Sequence, residues 1–396
     1  MTKVLRIINR FNLGGPTYNV AYLSKYMSDE FETLLVGGAK DSTEESSNFI
    51  VENLGLKPVI VEEMLREIDI KNDFTAFRKL KKIIREFKPD IVHTHASKAG
   101  TLGRLAAASC GVPIIVHTFH GHVFHSYFGK LKTTFYKNIE RYLAKKSTAI
   151  IAISEIQKKE LVEIHKICTA EKVKVIPLGF DLSKFHENME VKRESFRTKY
   201  NLAEDEIAIS IIGRLVPVKN HALFLEGLKI VSTKTSKKIR AFIVGDGEDR
   251  QKIEAKATEL NLKFIDGTQT NEKALLTFTS WIKEIDVVLA GSDIIALTSY
   301  NEGTPVSLIE AQAANKPIVS TNVGGIENVV IENKTALLCE NNQLIQFSEA
   351  LFRLIEDENL RNSMSEKGWN HVKDTFHYTR LVKDMENLYK ELLKSM

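Results

Sequence analysis

The chain has 396 residues, of which 43% are hydrophobic and 27% charged, with a net charge of +4 at neutral pH. That length exceeds one ordinary domain and predicts two of comparable size. The composition excludes a collagen-like or disordered chain, and no apolar run reaches the length of a membrane-spanning helix. Cys110, Cys168 and Cys339 lie far apart and are odd in number, which argues against a disulfide framework. With no signal-peptide pattern in the opening MTKVLRIINRF, a cytoplasmic protein is expected.

In the first half the strand-like runs are VLRII, TLLVGG, PVIVE, DIVHTH, PIIVHTF, TAIIAIS and KVKVIP. Helical patterns such as TAFRKLKKIIREF, GTLGRLAAASC and IQKKELVEIHK separate them. This alternation predicts a parallel α/β sheet covered on both faces. The first strand runs into NLGGPTYNV, where Gly14 and Gly15 allow either a tight turn or a close approach of bare backbone to a ligand. HTFHGHVFH places His117, His120, His122 and His125 at one strand end. Their spacing shares no face, and no Asp or Cys stands nearby to complete a shell, so no metal is expected. DIVHTHASKAGTLGR adds His93, His95, Lys98 and Arg104 at the neighbouring strand end. Charge is uneven: between Phe74 and Ser147 there are 14 Lys and Arg against 3 Asp and Glu, a surplus of 11. Such a surplus suits an anionic membrane surface or a phosphate-bearing substrate, or else a set of solvated helix faces.

Residues 178–206 are polar, without a strand, and are expected to contain the interdomain connection. A second series follows, IAISIIG, RAFIVG, LKFID, DIIALTS and PIVST, and from about Asn342 the chain is expected to be wholly helical. The fold class is therefore α/β, two doubly wound (Rossmann-like) parallel-sheet domains facing a central cleft. The expected divisions are 1–182, a connection over 183–205, 206–375, and a C-terminal helix over 376–396 packing back on the first domain.

The second half holds the most chemistry. In SDIIALTSYNEGTPVSLIEAQAANKPIVSTNVGG a buried strand ends in a polar loop and a helix, with Thr304 expected as N-cap and Pro305 at the first helical position. The free N–H groups of Val306 and Ser307 would then form an anion site. Glu302 and Glu310 flank it, roughly 10 Å apart along the helical path. A nucleotide sugar needs such an arrangement, although a lone E-x7-E also reads as a loop charge and a buried structural acid. In IIGRLVPVKN, Arg214 and Lys219 put two cations at a strand's carboxyl end, suited to a diphosphate. AFIVGDGEDR lacks the third glycine of a dinucleotide fingerprint and reads as a strand-to-helix turn.

Taken in order, HTHASKAGTLGR, HTFHGH, GRLVPVKN, FTSWIKE and EGTPVSLIEAQAANKPIVSTNVGG resemble a retaining glycosyltransferase of the GT-B fold, family 4. The branch most resembled builds bacterial capsule, O-antigen and related glycans. The resemblance implies that Glu310 binds the ribose, Glu302 the donor-sugar hydroxyls, and Arg214 and Lys219 the diphosphate. Gly303, Thr304, Val306 and Ser307 line the same phosphate site, and Gly14 and Gly15 approach it from the first domain. His120 would lie near the reacting centre, and the backbone around Ser280 to Ile282, Trp281 included, would hold the base. His95, Lys98 and Arg104 are expected on the acceptor side. Asn315 departs from the family's usual glycine at a helix end. No D-x-D occurs, so no metal and no other cofactor is expected, the nucleotide sugar serving as co-substrate.

The resemblance implies a UDP-sugar donor and a glycan or polyprenyl-diphosphate-linked acceptor, with peripheral contact to the inner face of the cell membrane. Two rivals share the bilobed architecture, a nucleotide-sugar epimerase and a non-enzymatic sugar-binding protein. A nucleic-acid partner is not expected, since no zinc finger, ribonucleoprotein motif or heptad-linked basic helix is present.

Overall fold

The structure is a computed structural model that describes residues 1–11, 15–38, 48–65, 69–120, 130–267 and 272–396. Gly14, His122 and His125 lie outside the described residues. The chain forms two units, Met1–Phe180 with Phe376–Met396, and Asp181–Thr375.

The first unit opens with β1 (Thr2–Arg10), α1 (Gly15–Tyr26), β2 (Phe31–Gly38), α2 (Asn48–Asn53) and β3 (Val59–Ile60). It continues with α3 (Ile70–Phe87), β4 (Ile91–His95), α4 (Ser97–Ser109), β5 (Ile114–Thr118) and α5 (Lys130–Lys146). Then come β6 (Ala149–Ala152), α6 (Glu155–Lys159) and β7 (Val173–Val175). All seven strands are parallel, in the order β3-β2-β1-β4-β5-β6-β7. The order reverses between β1 and β4, and this switch point is where sheets of this kind bind ligands. Register aligns Ile8 with His95 and His95 with Thr118, so His95 ends its strand at the sheet's carboxyl edge. Strand residues serve both faces: Leu5, Ile7 and Val92 pack with Leu80 and Ile84 of α3 and Leu102 of α4, while Val4, Ile91 and Val116 join the opposite cluster. That double burial explains why the strands read as continuous apolar runs.

The second unit contains α7 (Met189–Lys199), β8 (Glu206–Ile212), α8 (His221–Lys234), β9 (Lys238–Val244) and α9 (Arg250–Glu259). Next are β10 (Phe264–Asp266), β11 (Leu276–Phe278), α10 (Ile285–Gly291), β12 (Ile294–Leu297) and α11 (Val306–Ala313). It ends with β13 (Ile318–Thr321), β14 (Ala336–Cys339), α12 (Leu344–Glu356) and α13 (Glu358–Val372). Again all seven strands are parallel, in the order β10-β11-β9-β8-β12-β13-β14, with the switch point between β8 and β12. Ile209, Ile211, Ile243 and Val319 of the sheet form one core with Phe224 and Leu228 of α8 and Phe347 and Leu351 of α12.

The last helix, α14 (Tyr378–Lys394), belongs to the first unit. Leu381, Met385, Leu388 and Tyr389 make a stripe at helical spacing, buried against Val4, Leu23 and Phe31. Arg380 ties the helix to the carbonyl oxygens of Pro177 and Leu178 at 2.7 and 2.8 Å.

Residues 183–205 differ from the expected connection. They form α7 and its flanks inside the second unit, whose border falls between Phe180 and Asp181. Phe196 is buried against Phe242, and Arg193 and Arg197 both bond Asp293, at 2.8 and 3.3 Å. The segment reads as polar because few of its apolar groups turn inward and its anchoring uses charge. The short strands β11 and β14 were not foreseen either, being three and four residues long.

Candidate active site

The second unit assembles its polar residues at the β8/β12 switch. After β8 the chain passes Arg214 and makes a 3₁₀ turn over Pro217–Lys219, with Asn220 left-handed before α8. After β12 it runs through Thr298 to Glu302. The loops are stitched together: Tyr300 N–H donates to the Val218 carbonyl (2.8 Å) and the Thr298 hydroxyl to the Lys219 carbonyl (3.0 Å). Lys219 Nζ consequently reaches Glu302 Oε1 at 2.6 Å, with side-chain exposures of only 21% and 11%. The Ser299 hydroxyl donates to the same Oε1 at 2.6 Å. Thr321 of β13 holds the carbonyl of Ser299 at 2.8 Å. Two adjacent glycines hold the loop from the other side. Gly324 is left-handed (φ 55°), and a Cβ on it would overlap the Glu302 carbonyl oxygen. A Cβ on Gly325 would overlap that of Gly303, and its N–H donates to the Glu302 carbonyl at 3.0 Å.

Helix α11 starts one residue later than expected. Pro305 is its N-cap, and no side chain caps it, so Thr304 lies outside the helix and does not cap it. The reason is the proline's own extended ψ of 91°, which keeps it out of the helix. The N–H groups of Val306 and Ser307 have no acceptor among the described residues. They remain available to an anion beside Gly303 and Thr304. At the other end Asn315 is left-handed (φ 53°), and Lys316 N–H closes onto the Ala311 carbonyl at 2.9 Å. Asparagine thus does the work of the family's glycine in a Schellman turn. Its side-chain oxygen also accepts from Trp369 N–H at 2.9 Å.

Glu310 lies in the second turn of α11, partly exposed, and its carboxyl group has no hydrogen-bond partner among the described residues. Loss of water pushes its carboxyl up to about 7, with Lys184 opposing and Asp286 adding to the rise. Arg214 stands apart from the Lys219–Glu302 pair, half exposed and 3.8 Å from Glu248. Ser280 is left-handed (φ 57°), and its carbonyl accepts from Gly245 N–H at 3.0 Å while its hydroxyl donates to Asp246 at 2.9 Å. Trp281 follows it, 40% exposed. Sequence reasoning missed Ser299 and the Gly324–Gly325 support, which only the juxtaposition of β12 and β13 reveals.

In the first unit Gly15 begins α1 and is buried. His120 lies just past β5, and its Nε2 is 2.9 Å from Nδ1 of His95. Burial holds His120 down to about 3. His95 is fully buried, and burial, assisted by His93, His120 and the Arg6 guanidinium, keeps it neutral. His93 is clasped between the Tyr389 hydroxyl (2.6 Å) and the Thr118 hydroxyl (2.7 Å). His117 bonds Thr94 at 2.9 Å, its ring filling the space beside Gly100.

The three residues expected on the acceptor side are corrected accordingly. His95 meets His120 and is sealed from solvent. Arg104 is fully buried, its guanidinium 2.6 Å from Glu140, and it joins α4 to α5 as an internal ion pair. Lys98 is largely buried and bonded to Asp73 at 2.5 Å. Lys98 and Arg104 carry the right charge for an acceptor group, but the phase of α4 turns both inward, and His95 is enclosed at the end of β4.

Two tandem doubly wound units, with a cation, a carboxylate and a helix start gathered at one switch point, define a glycosyltransferase of the GT-B class. Residues 13–184 match the model described as glycosyltransferase family 4, and residues 192–371 that of glycosyl transferases group 1. An Escherichia coli UDP-Gal:α-D-GlcNAc-diphosphoundecaprenol α-1,3-galactosyltransferase is 32% identical over 341 residues, covering 85% of this chain and 84% of that protein. The Staphylococcus aureus capsular polysaccharide biosynthesis glycosyltransferase CapM is 27% identical over 342 residues, 84% of each chain. Among solved structures, Anabaena HepE in complex with UDP superposes with a TM-score of 0.81 at 17% identity, covering 98% of this chain and 100% of that one. A Rickettsia africae glycosyltransferase does so with 0.78 at 19%, covering 100% and 99%. The chain belongs to glycosyltransferase family 4. It is an enzyme that transfers a sugar, which sets aside the epimerase and binding-protein readings.

Proposed function

We propose that the chain moves a sugar from a UDP-sugar to a polyprenyl-diphosphate-linked sugar, with retention at the anomeric carbon, in cell-surface polysaccharide synthesis. The observation that supports this most is the Lys219–Glu302 pair beside the unpaired N–H groups of Val306 and Ser307. A nucleotide sugar places hydroxyls and phosphate side by side, and this site offers an acceptor and donors side by side. The E. coli relative's stated donor and acceptor make UDP-galactose and a GlcNAc-diphosphate lipid the first pair to test.

On this reading Glu310 takes the ribose diol, Arg214 and Lys219 the diphosphate, Glu302 the sugar, and Trp281 with its neighbours the base. In the first unit, His120 and Gly15 are the residues this reading assigns to substrate. An acceptor hydroxyl oxygen bonds to the anomeric carbon as the bond to the diphosphate oxygen breaks. The acceptor's proton passes to the leaving phosphate oxygen, so no carboxylate nucleophile is needed. Charge developing on that phosphate meets Lys219, Arg214 and the α11 N–H groups, and we propose that no divalent metal is required. Transfer undiminished in excess EDTA supports this; transfer that depends on added magnesium refutes it.

The basic stretch gains a role in the same scheme. Phe74 on α3, and Phe135 and Tyr142 on α5, are exposed within it, and Ile70 is exposed just before it at the start of α3. No described helix is long and apolar enough to cross a membrane. We propose peripheral attachment to an anionic bilayer at its cytoplasmic face. Co-sedimentation with anionic vesicles should fall at high salt, and equal binding to neutral vesicles refutes it. The whole assignment is tested by mixing lipid-linked GlcNAc acceptor with UDP-sugars and following UDP release. Release independent of acceptor, or transfer with inversion, overturns it.

A further inference from the structure

Strand order β11-β9-β8 sets three loops side by side at one edge of the second sheet, and the middle loop ties the other two together. On one side Gly213 N–H donates to the Val244 carbonyl and Leu215 N–H to that of Asp246, both at 3.0 Å, around Arg214. On the other side Gly245 N–H donates to the Ser280 carbonyl and Thr279 N–H to that of Ile243, again at 3.0 Å. Gly245 stands at φ 137°, and a Cβ there would lie 2.0 Å from the Gly213 carbonyl oxygen, so the middle loop cannot shift that way.

Ser280 is the anomaly in this arrangement. Its φ of 57° suits glycine or asparagine, and most of the other left-handed non-glycine residues described are asparagine. Serine in this conformation needs an outside hold, and Asp246 supplies it, for the Ser280 hydroxyl donates to Oδ2 at 2.9 Å. The carboxylate is itself fixed. Its Oδ1 accepts from Gly247 N–H at 2.8 Å, and Arg250 Nη1 lies 3.4 Å from Oδ2. Arg250 in turn bonds Glu254 at 2.7 Å and Asp266 at 3.0 Å, with only 15% of its side chain exposed. The turn is thereby held in one conformation, where an unlatched glycine would have several. Directly after it, the N–H and carbonyl groups of Trp281 and Ile282 have no partner among the described residues. Neighbouring amide donors and acceptors of this kind match the edge of a nucleobase.

We infer that Ser280 and Asp246 are positioning residues: their hydroxyl–carboxylate bond locks the left-handed turn and so fixes the direction in which the Trp281–Ile282 backbone meets the donor's nucleobase. The inference rests on the reading of this segment as the base contact under the proposed function. Asp246 holds Leu215 through its main chain but Ser280 through its side chain. The base segment can therefore be loosened without loosening the loop of Arg214. A side-chain change at either residue weakens recognition of the base and leaves that of the diphosphate.

The chain has two tryptophans, so ¹⁵N-tryptophan labelling of the full chain gives two backbone amide signals, that of Trp281 being assigned by its survival in Trp369→Phe. In the free protein the Trp281 amide should be ordered by its heteronuclear NOE. Ser280→Gly, which takes up the same turn without strain, should loosen it, and so should Asp246→Ala. By calorimetry, UDP binding should weaken on the order of tenfold in Ser280→Gly, the worth of one hydrogen bond, while inorganic pyrophosphate binds as before. Combining Ser280→Gly with Asp246→Ala should cost no more UDP affinity than the worse single change. A Trp281 amide as ordered in Ser280→Gly as in the wild type overturns the latch, and additive losses do so too. Pyrophosphate affinity that falls in step with that for UDP overturns the assignment to the base. A looser amide with wild-type UDP affinity leaves the latch standing and overturns the base reading, and with it the role inferred for Ser280 and Asp246. The amide signal needs no ligand, so failure of the latch and failure of the base reading give different results.

Discussion

The Lys219–Glu302 contact can be measured through a double-substitution cycle of Lys219→Met, Glu302→Gln and both together. The charged atoms lie 2.6 Å apart, and both side chains are largely shielded from water. At an effective dielectric near 20, opposite charges about 4 Å apart attract by about 4 kcal/mol, part of which is offset by the hydration both groups have lost. A coupling of about 1–3 kcal/mol is expected, well above the value for an exposed pair. Lys219→Met leaves the carboxylate with Ser299 alone and should cost more than the double change does. Both tryptophans, Trp281 and Trp369, lie in the second unit, so urea unfolding followed by tryptophan fluorescence reports that unit. UDP binding by calorimetry should weaken roughly 10- to 100-fold in Lys219→Met, the worth of one charged hydrogen bond. Stability changes that add within about 0.5 kcal/mol refute the pairing argument. Wild-type UDP affinity in folded Lys219→Met refutes the donor assignment.

Gly325→Ala drives a methyl into the Gly303 carbonyl and should cost about 1–3 kcal/mol while raising the donor KM more than it lowers thermal stability; an unchanged KM counts against the loop's role. Arg104→Leu strands the Glu140 carboxylate in the interior and should destabilise by about 3–5 kcal/mol, with Arg104→Leu/Glu140→Leu recovering most of it in thermal melts. Glu310 is raised from its ordinary 4.5 to about 7, so the folded state holds a proton there that the unfolded chain has released. Its stabilising contribution is complete below about 4.5 and is lost as pH rises through 7, and Glu310→Gln should flatten that part of a urea-midpoint profile. If the ionised carboxylate accepts the ribose diol, wild-type affinity for UDP-sugar should tighten from pH 6 to 8 and that of Glu310→Gln should not.

Alternating apolar runs announced two parallel sheets because strands buried on both faces cannot hide their composition. The motif residues of the second unit were equally legible: Lys219 and Glu302, 83 positions apart, meet because β8 and β12 are neighbours. Where the reading failed, the cause was side-chain direction. Arg104 and Lys98 sit on α4, and their charge suggested a ligand, but the helix turns Arg104 into the gap with α5 and Lys98 onto Asp73 of α3. Thr304 had the chemistry of a cap, yet the backbone of Pro305 set the helix start. Residues 183–205 looked like a tether because Arg193 and Arg197 are ordinary surface residues until Asp293 is brought beside them.

The bonding of the pair also bears on how it could serve both halves of a donor. Lys219 and Ser299 both address Oε1 of Glu302, leaving Oε2 without a partner among the described residues. An ammonium has three N–H groups, and the contact with Glu302 uses one. A sugar hydroxyl can therefore donate to Oε2, and a phosphate oxygen can accept from Lys219, without breaking the contact between them. On the proposed reading the ion pair is no obstacle that binding must first remove. It fixes the spacing between the carboxylate that recognises the sugar and the cation that meets its phosphate. Ser299 belongs to that device as much as the charged residues do, since its hydroxyl engages the same oxygen and leaves the other open. The glycines at 324 and 325 complete it by letting the backbone behind Glu302 close to a hydrogen bond.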